Sequence, residues 1–362
     1  MKPQETAAQR AAGSRERLLD TIRVLSELDG ISGQEGAVRA EILRRIGGRH
    51  PYEVDASGNL LVYQKGRRTP QEGKRVMLAA HMDEVGFLVT YVTEEGFLKF
   101  TTVGGIDSRV YLGKPVRIQT AAGPVMGVIG GKAVHQSSKE EQEQPQTADK
   151  LFIDISAKDR ADALRLVSPG DAVCFASGFL PFGDGCIKGK ALDDRVGCAL
   201  LLELLEEEYT PAYDRILAFT VQEETGGAGA CTAAFHAKPD RAIVVDVTTA
   251  ADLPGVAAES QVCRWGEGPV LSFMDRATIY DSALYRLALD AAREAGIPAQ
   301  PKNGVFGGND AGAIHRSREG VPSVAVSLPG RYIHSPSCAL KIQDIVDTLS
   351  LLSLLPDRLA EE

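Results

Sequence analysis

The six cysteines, Cys174, Cys186, Cys198, Cys231, Cys263 and Cys338, contain no C-x-x-C pair, so neither a zinc ribbon nor a disulfide framework is indicated. They read as buried thiols in a reducing compartment, with Cys198 in a helical pattern and Cys174 in a strand pattern. No apolar run approaches the roughly 18 residues of a membrane span. The N-terminus, rich in Gln, Arg and Glu, has no apolar signal-peptide core. The expectation is a cytoplasmic protein without a membrane partner. Basic patches with interleaved aromatics are also missing, and a net charge of −9 argues against nucleic acid as a partner. No internal repeat is visible.

What is present is 362 residues, 44% hydrophobic and 25% charged, long enough for two domains with a core in each. Residues 1–13 look like a frayed tail. A helical period from Ser14 to Gly30 carries Leu18, Leu19, Ile22, Leu25 and Leu28 on one face, and a second helix is predicted over 34–46. Strands follow over 52–55 and 60–64, then a buried strand over 75–80 that delivers His81.

From Gly86 to Phe179 the pattern changes to short β-rich segments between Gly-containing turns, with one brief helix over 157–166. This reads as a small β-barrel or sandwich inserted into the first domain. Residues 137–149, polar and without apolar period, read as a mobile loop. Strand and helix then alternate again: helices over 196–206, 229–237, 282–295 and 342–355, and strands over 216–221, 242–247, 270–274 and 323–327. The predicted fold is α/β, with residues 1–83 and 181–362 building one sheet-centred domain and 84–180 the β-rich insert.

Five short stretches carry acids or histidines. Asp193-Asp194-Arg195 precedes an apolar helical run, where taken alone a helix N-cap paired with Arg195 is the commoner reading. The other four are His81-Met82-Asp83, Gln222-Glu223-Glu224-Thr225-Gly226, Val245-Asp246-Val247-Thr248 and Ile333-His334-Ser335-Pro336. Each lies at or just beyond the C-terminal end of an apolar, β-branched run. In an open α/β sheet those ends converge on one crevice. Two histidines and several carboxylates gathered there need a counter-charge, which a pair of divalent cations supplies.

In that setting His81 can bind metal while Asp83 fixes its tautomer, and Asp193 is the candidate bridging carboxylate. Glu223 and Glu224 divide into general base and ligand, in that order. Asp246 interrupts an apolar strand and needs a metal or Arg partner. His334 sits in a rigid turn suited to presenting an imidazole. His50, His135, His236 and His315 have weaker contexts and are left structural. Gly307-Gly308-Asn309-Asp310 lacks the spacing of a phosphate loop; Asp310 reads equally as a residue near the crevice or as a solvated turn.

The order His-x-Asp, Asp-Asp-Arg, Glu-Glu-x-Gly, Val-Asp-Val-Thr, His-Ser-Pro resembles the dinuclear metallo-aminopeptidases of the tetrahedral (TET) and glutamyl aminopeptidase family. The resemblance runs from about Leu18 to the last helix. It departs at Asn309, where Thr is usual, at Thr225-Gly226-Gly227, and at Ser337-Cys338-Ala339. It implies a central mixed sheet flanked by helices, the co-catalytic zinc peptidase fold. It further implies His81 and Asp246 on one metal, Glu224 and His334 on the other, Asp193 bridging, Glu223 as base and Asp83 behind His81. The implied cofactors are two divalent ions per subunit, zinc or cobalt, and the implied partners are short peptide substrates. It also implies that the insert mediates dimer contacts and that dimers assemble into a dodecamer. The expected activity is removal of N-terminal residues from short peptides. Alternatives are a dinuclear metal carboxypeptidase or deacylase, and a metal-independent, endoglucanase-like glycoside hydrolase.

Overall fold

A computed structural model describes every residue except 1–6, 69–73, 137, 140–142, 144 and 207–209. Helix α1 (Ala7–Glu27) buries Leu18, Ile22 and Leu25, and α2 (Gly36–Ile46) buries Val38, Ile42 and Ile46, in both cases one face of a 3.6-residue period. Gly47, at φ 59°, closes α2 with its N–H on the Leu43 carbonyl, a left-handed turn that glycine adopts without Cβ strain. Helix α1 begins earlier than expected, at Ala7, within an alanine-rich run that favours helix.

Strands β1 (Tyr52–Val54), β2 (Leu60–Gln64) and β3 (Val76–His81) open the main sheet. The chain then leaves it to build a closed barrel from β4 (Gly86–Val92), β5 (Leu98–Val103), β6 (Pro115–Thr120), β7 (Gly123–Gly130), β8 (Phe152–Asp154) and β9 (Ala172–Phe175), in the order β4-β5-β8-β7-β6-β9. Phe87 fills its interior, edge-on to Phe100, Tyr111 and Phe175 at ring-centroid separations of 5.1, 5.4 and 5.3 Å. The brief helix is α3 (Arg160–Leu164), capped by the Asp159 carboxylate on the Asp162 N–H. The loop expected over 137–149 lies in part outside the described residues, and its end forms a 3₁₀ turn, Ala148–Lys150.

The chain returns through β10 (Leu180–Phe182) and β11 (Cys186–Gly189), a hairpin not foreseen from sequence. Then come α4 (Leu192–Glu206), β12 (Arg215–Thr220), α5 (Ala228–Ala237), β13 (Arg241–Thr249), β14 (Val270–Leu271), α6 (Ser282–Glu294), β15 (Gln300–Pro301), α7 (Ala311–Ile314), β16 (Ser323–Arg331), β17 (Cys338–Lys341) and α8 (Ile342–Glu361). The sheet runs β1-β2-β12-β3-β13-β16-β17-β11-β10, with β12, β3, β13 and β16 parallel and β14–β15 packed beside β16. Strand β14 is shorter than expected, and α8 continues past Leu355 through Pro356.

Alternation along β3 explains the layering. Leu78 and Ala80 face the core shared with α1, α2, α4 and α8, while Met77 and Ala79 face the opposite core under α5 and α7. Because both faces are covered, the polar ends of the parallel strands are where function can be placed. No helix among the described residues is long and apolar enough to cross a membrane. The cysteines are unpaired, but not all buried as expected: Cys231 is exposed on α5, and Cys186 is partly exposed at the hairpin.

Candidate metal centre

Four parallel strand ends supply most of the site. β3 ends on His81, paired in register with Thr220 of β12, and Asp246 of β13 lies opposite Ser327 of β16. Beyond β12, Gln222 at φ 57° turns the chain so that Glu223 and Glu224 enter the crevice. Beyond β16, Tyr332 and His334, at φ 58° and 55°, turn His334 toward the same place. The fifth piece is the start of α4, where Asp193 and Asp194 depart from helical geometry across a cis peptide bond.

All five sequence-predicted metal-site residues meet there. Asp193 sits between the two histidines, its Oδ1 3.4 Å from His81 Nε2 and its Oδ2 3.4 Å from His334 Nε2. Asp246 Oδ1 is 3.9 Å from His81 Nε2, and Glu224 Oε1 is 3.3 Å from His334 Nε2. Donor atoms of Asp193, Glu224 and His334 lie within 4.8 Å of one another, as do those of His81, Glu223 and Glu224. Asp83 lies beneath, its Oδ1 3.4 Å and its carbonyl oxygen 3.1 Å from His81 Nδ1.

The two adjacent acids divide between the readings that the sequence left open. Asp194 is the helix cap: its Oδ1 accepts the Gly197 N–H at 3.1 Å. Asp193 Oδ1 is buried and makes no hydrogen bond, an oxygen left free to face a cation. Arg195 turns away from both, donating to the carbonyls of Met82, Leu25 and Gly30 at 2.6, 2.7 and 3.1 Å. Asp194 also stands within 4.8 Å, donor to donor, of His81 and Asp246. Sequence reasoning gave it no part among the metal donors.

The electrostatics express a shortage of positive charge. Burial pushes the carboxyls of Asp246, Glu223 and Glu224 above their ordinary range, and the neighbouring acid Asp193 adds to each shift. Burial alone would lower His334, but the carboxylates of Asp193 and Glu224 beside its Nε2 outweigh it and raise the imidazole to about 11. His81 is raised in the same way by Asp193 and Asp83. Both rings are thus held as cations by their acidic surroundings. The donor set of two imidazoles and several carboxylates, with an unsatisfied oxygen between the rings, fits a pair of divalent ions.

The site opens into a cavity of about 520 Å³, one wall of which is the Gly307-Gly308-Asn309 loop. That loop is braced although its glycines are exposed: Asn309 Oδ1 accepts the Ala311 N–H at 2.9 Å and the Tyr280 hydroxyl at 3.2 Å. Asp310 is buried against it, with Oδ2 accepting the Thr220 hydroxyl at 2.6 Å, and burial lifts its carboxyl to about 6. Lys302, also lining the cavity, was not singled out from sequence; its ammonium donates to the Phe306 carbonyl at 2.8 Å. His50, His236 and His315 serve structure, bonded to Leu205 O, Glu53 and Ala311 O respectively, while His135 lies exposed.

Residues 58–351 match the family model of the M42 glutamyl aminopeptidases. The chain belongs to that family. It is 32% identical over 359 residues to the glutamyl aminopeptidase of Lactococcus lactis, covering 95% of this chain and 98% of that protein. An aminopeptidase of the archaeon Desulfurococcus kamchatkensis superposes with a TM-score of 0.90 at 31% identity, covering 95% of this chain and 97% of that one. A TET peptidase of Pyrococcus horikoshii, described as assembling into a tetrahedron or a large octahedral shell, superposes at 0.83 with 34% identity, covering 95% and 99%. The protein is therefore a peptide hydrolase of the M42 type, with the mixed sheet and closed barrel of the TET aminopeptidases.

Proposed function

We propose that the protein is a metal-dependent aminopeptidase that removes N-terminal residues from short peptides with two divalent cations, zinc or cobalt. The observation that carries the reading is Asp193, whose two oxygens each stand 3.4 Å from the Nε2 of a different histidine. His81 and Asp246 would hold one ion, Glu224 and His334 the other, with Asp193 bridging. When bound, such a pair supplies Lewis acidity toward the scissile carbonyl and lowers the pKa of the attacking water.

The chain's own part follows from the geometry. Glu223 is the general base: burial raises its proton affinity, so its carboxylate takes a proton from the water and returns it to the leaving amine. Asp83 orients His81 through Nδ1 and, through its carboxylate, the turn that carries Glu223. The cavity receives the N-terminal side chain, and Asp310 adds to the negative field that keeps Glu223 basic.

Residues 1–83 and 181–362 form the catalytic unit in this reading, and the insert over 84–180 makes dimer contacts. The tetrahedron described for the Pyrococcus horikoshii relative supports a dimer-based dodecamer here. Six unpaired thiols suit the reducing cytoplasm.

A panel of aminoacyl chromogenic substrates, assayed after chelation and after return of zinc or cobalt, tests the reading. Hydrolysis that requires the metal supports it. Undiminished hydrolysis in the stripped protein overturns it.

A further inference from the structure

We infer that the inserted barrel is a working part of one metal site only: the Glu224–His334 site depends on the barrel being docked, whereas the His81–Asp246 site is assembled within the sheet-centred domain alone. This rests on the two-cation reading above.

The asymmetry lies in what fixes each imidazole. A carbonyl oxygen only accepts, so a ring nitrogen bonded to one must carry the hydrogen, leaving the other nitrogen's lone pair for a metal. His81 Nδ1 finds its carbonyl on Asp83, two residues along its own segment. His334 Nδ1 finds its carbonyl on Gly105, 2.6 Å away and 229 residues distant in sequence, in the loop that leaves β5 of the barrel.

That loop is seated tightly. Gly104 has φ +78°, and a Cβ there would lie 2.7 Å from Val85 Cγ1 and 3.2 Å from Glu224 Cβ. The loop thus touches both residues proper to this site. The barrel is held in place by a clamp: Arg117 of β6 donates to the two oxygens of Asp29, each at 2.7 Å, and Gln119 adds a bond at 2.6 Å. Asp29 in turn is 3.1 Å from Lys190 Nζ, which is 2.6 Å from Glu84. Loosening the clamp withdraws the Gly105 carbonyl from His334 and leaves His81 with its own partner.

The test is cobalt binding to the full-length chain by calorimetry, with far-UV circular dichroism as the check on folding. Wild type should take up two cobalt ions per chain. Arg117→Gln and, separately, Gly104→Ala should keep one ion at wild-type affinity and weaken the other by about 10–100-fold. Arg117→Lys, which retains the charge at Asp29, should recover much of the second. Gly104→Ala leaves the clamp intact, so it carries the same expectation if Arg117→Gln misfolds. Folded variants that bind both ions normally, or lose both equally, overturn the inference. A wild-type chain that binds no cobalt overturns the two-cation reading instead.

Discussion

One carboxylate oxygen of Asp83 accepts the backbone N–H of Glu223 at 3.0 Å, and the other accepts that of Glu224 at 3.1 Å and the Ser32 hydroxyl at 2.6 Å. A fully buried acid thus holds the glutamate turn by its main chain while steadying His81. An amide has one acceptor oxygen, so Asp83→Asn leaves a buried N–H facing an NH₂ group. The loss is about 1–3 kcal/mol of stability and, through the displaced turn, about 10²-fold or more in turnover. Thermal melting and steady-state rates measure the two effects, and wild-type values for both would contradict this role.

Glu223→Gln preserves shape while removing the proposed base. Turnover should fall about 10²–10⁴-fold with both metals retained. Metal analysis alongside kinetics checks it, and near-normal rates would exclude Glu223 as base.

Metal uptake should release protons. In the metal-free protein His334 is raised to about 11 and His81 is also raised well above its ordinary value, by the acids around them. An unfolded histidine titrates near 6.5. The contribution of protonated His334 to the stability of the metal-free fold is therefore complete below about 6.5 and lost as pH rises through about 11. An arriving cation must displace those protons, so apparent affinity increases with pH. Calorimetry of metal binding in buffers of different ionisation enthalpy counts the protons; net proton uptake would refute the assignment.

Gly229→Ala should damage the site from outside it. A Cβ there would fall 2.2 Å from the Val221 carbonyl oxygen and 2.6 Å from Asn59 Oδ1, which itself accepts the Val221 N–H. Neither can yield cheaply, so about 1–3 kcal/mol of stability should be lost in chemical denaturation. The Glu223 turn, sitting between Val221 and α5, should shift with it and lower activity.

Much of this was legible in the sequence because hydrophobic periodicity is a local property. The buried stripe of α1, the short barrel strands and the apolar runs ending at His81 and before Glu223 all declare their elements within a few residues. The β10–β11 hairpin and β17 did not: Leu180–Phe182 is an exposed edge of 3 residues, and β11 and β17, at 4 residues each, are too short to show a period. Asp310 could be placed only near the crevice or in a solvated turn. Its burial follows from α7 packing against α5, a contact between segments far apart in the chain.

The sequence by itself singled out His81, Asp193, Glu224, Asp246 and His334 as candidate donors, all but Asp193 at or just beyond the end of an apolar run, because residue type and local period are both written along the chain. Only the tertiary structure decided that Asp194, the neighbour of Asp193, is the helix cap, accepting the Gly197 N–H. It alone brought the Gly105 carbonyl to His334 and the Asp83 carboxylate to the backbone of Glu223. The physical reason is that hydrogen bonds and electrostatic fields act through space at 3–4 Å, between atoms whose separation along the chain has no periodic signature.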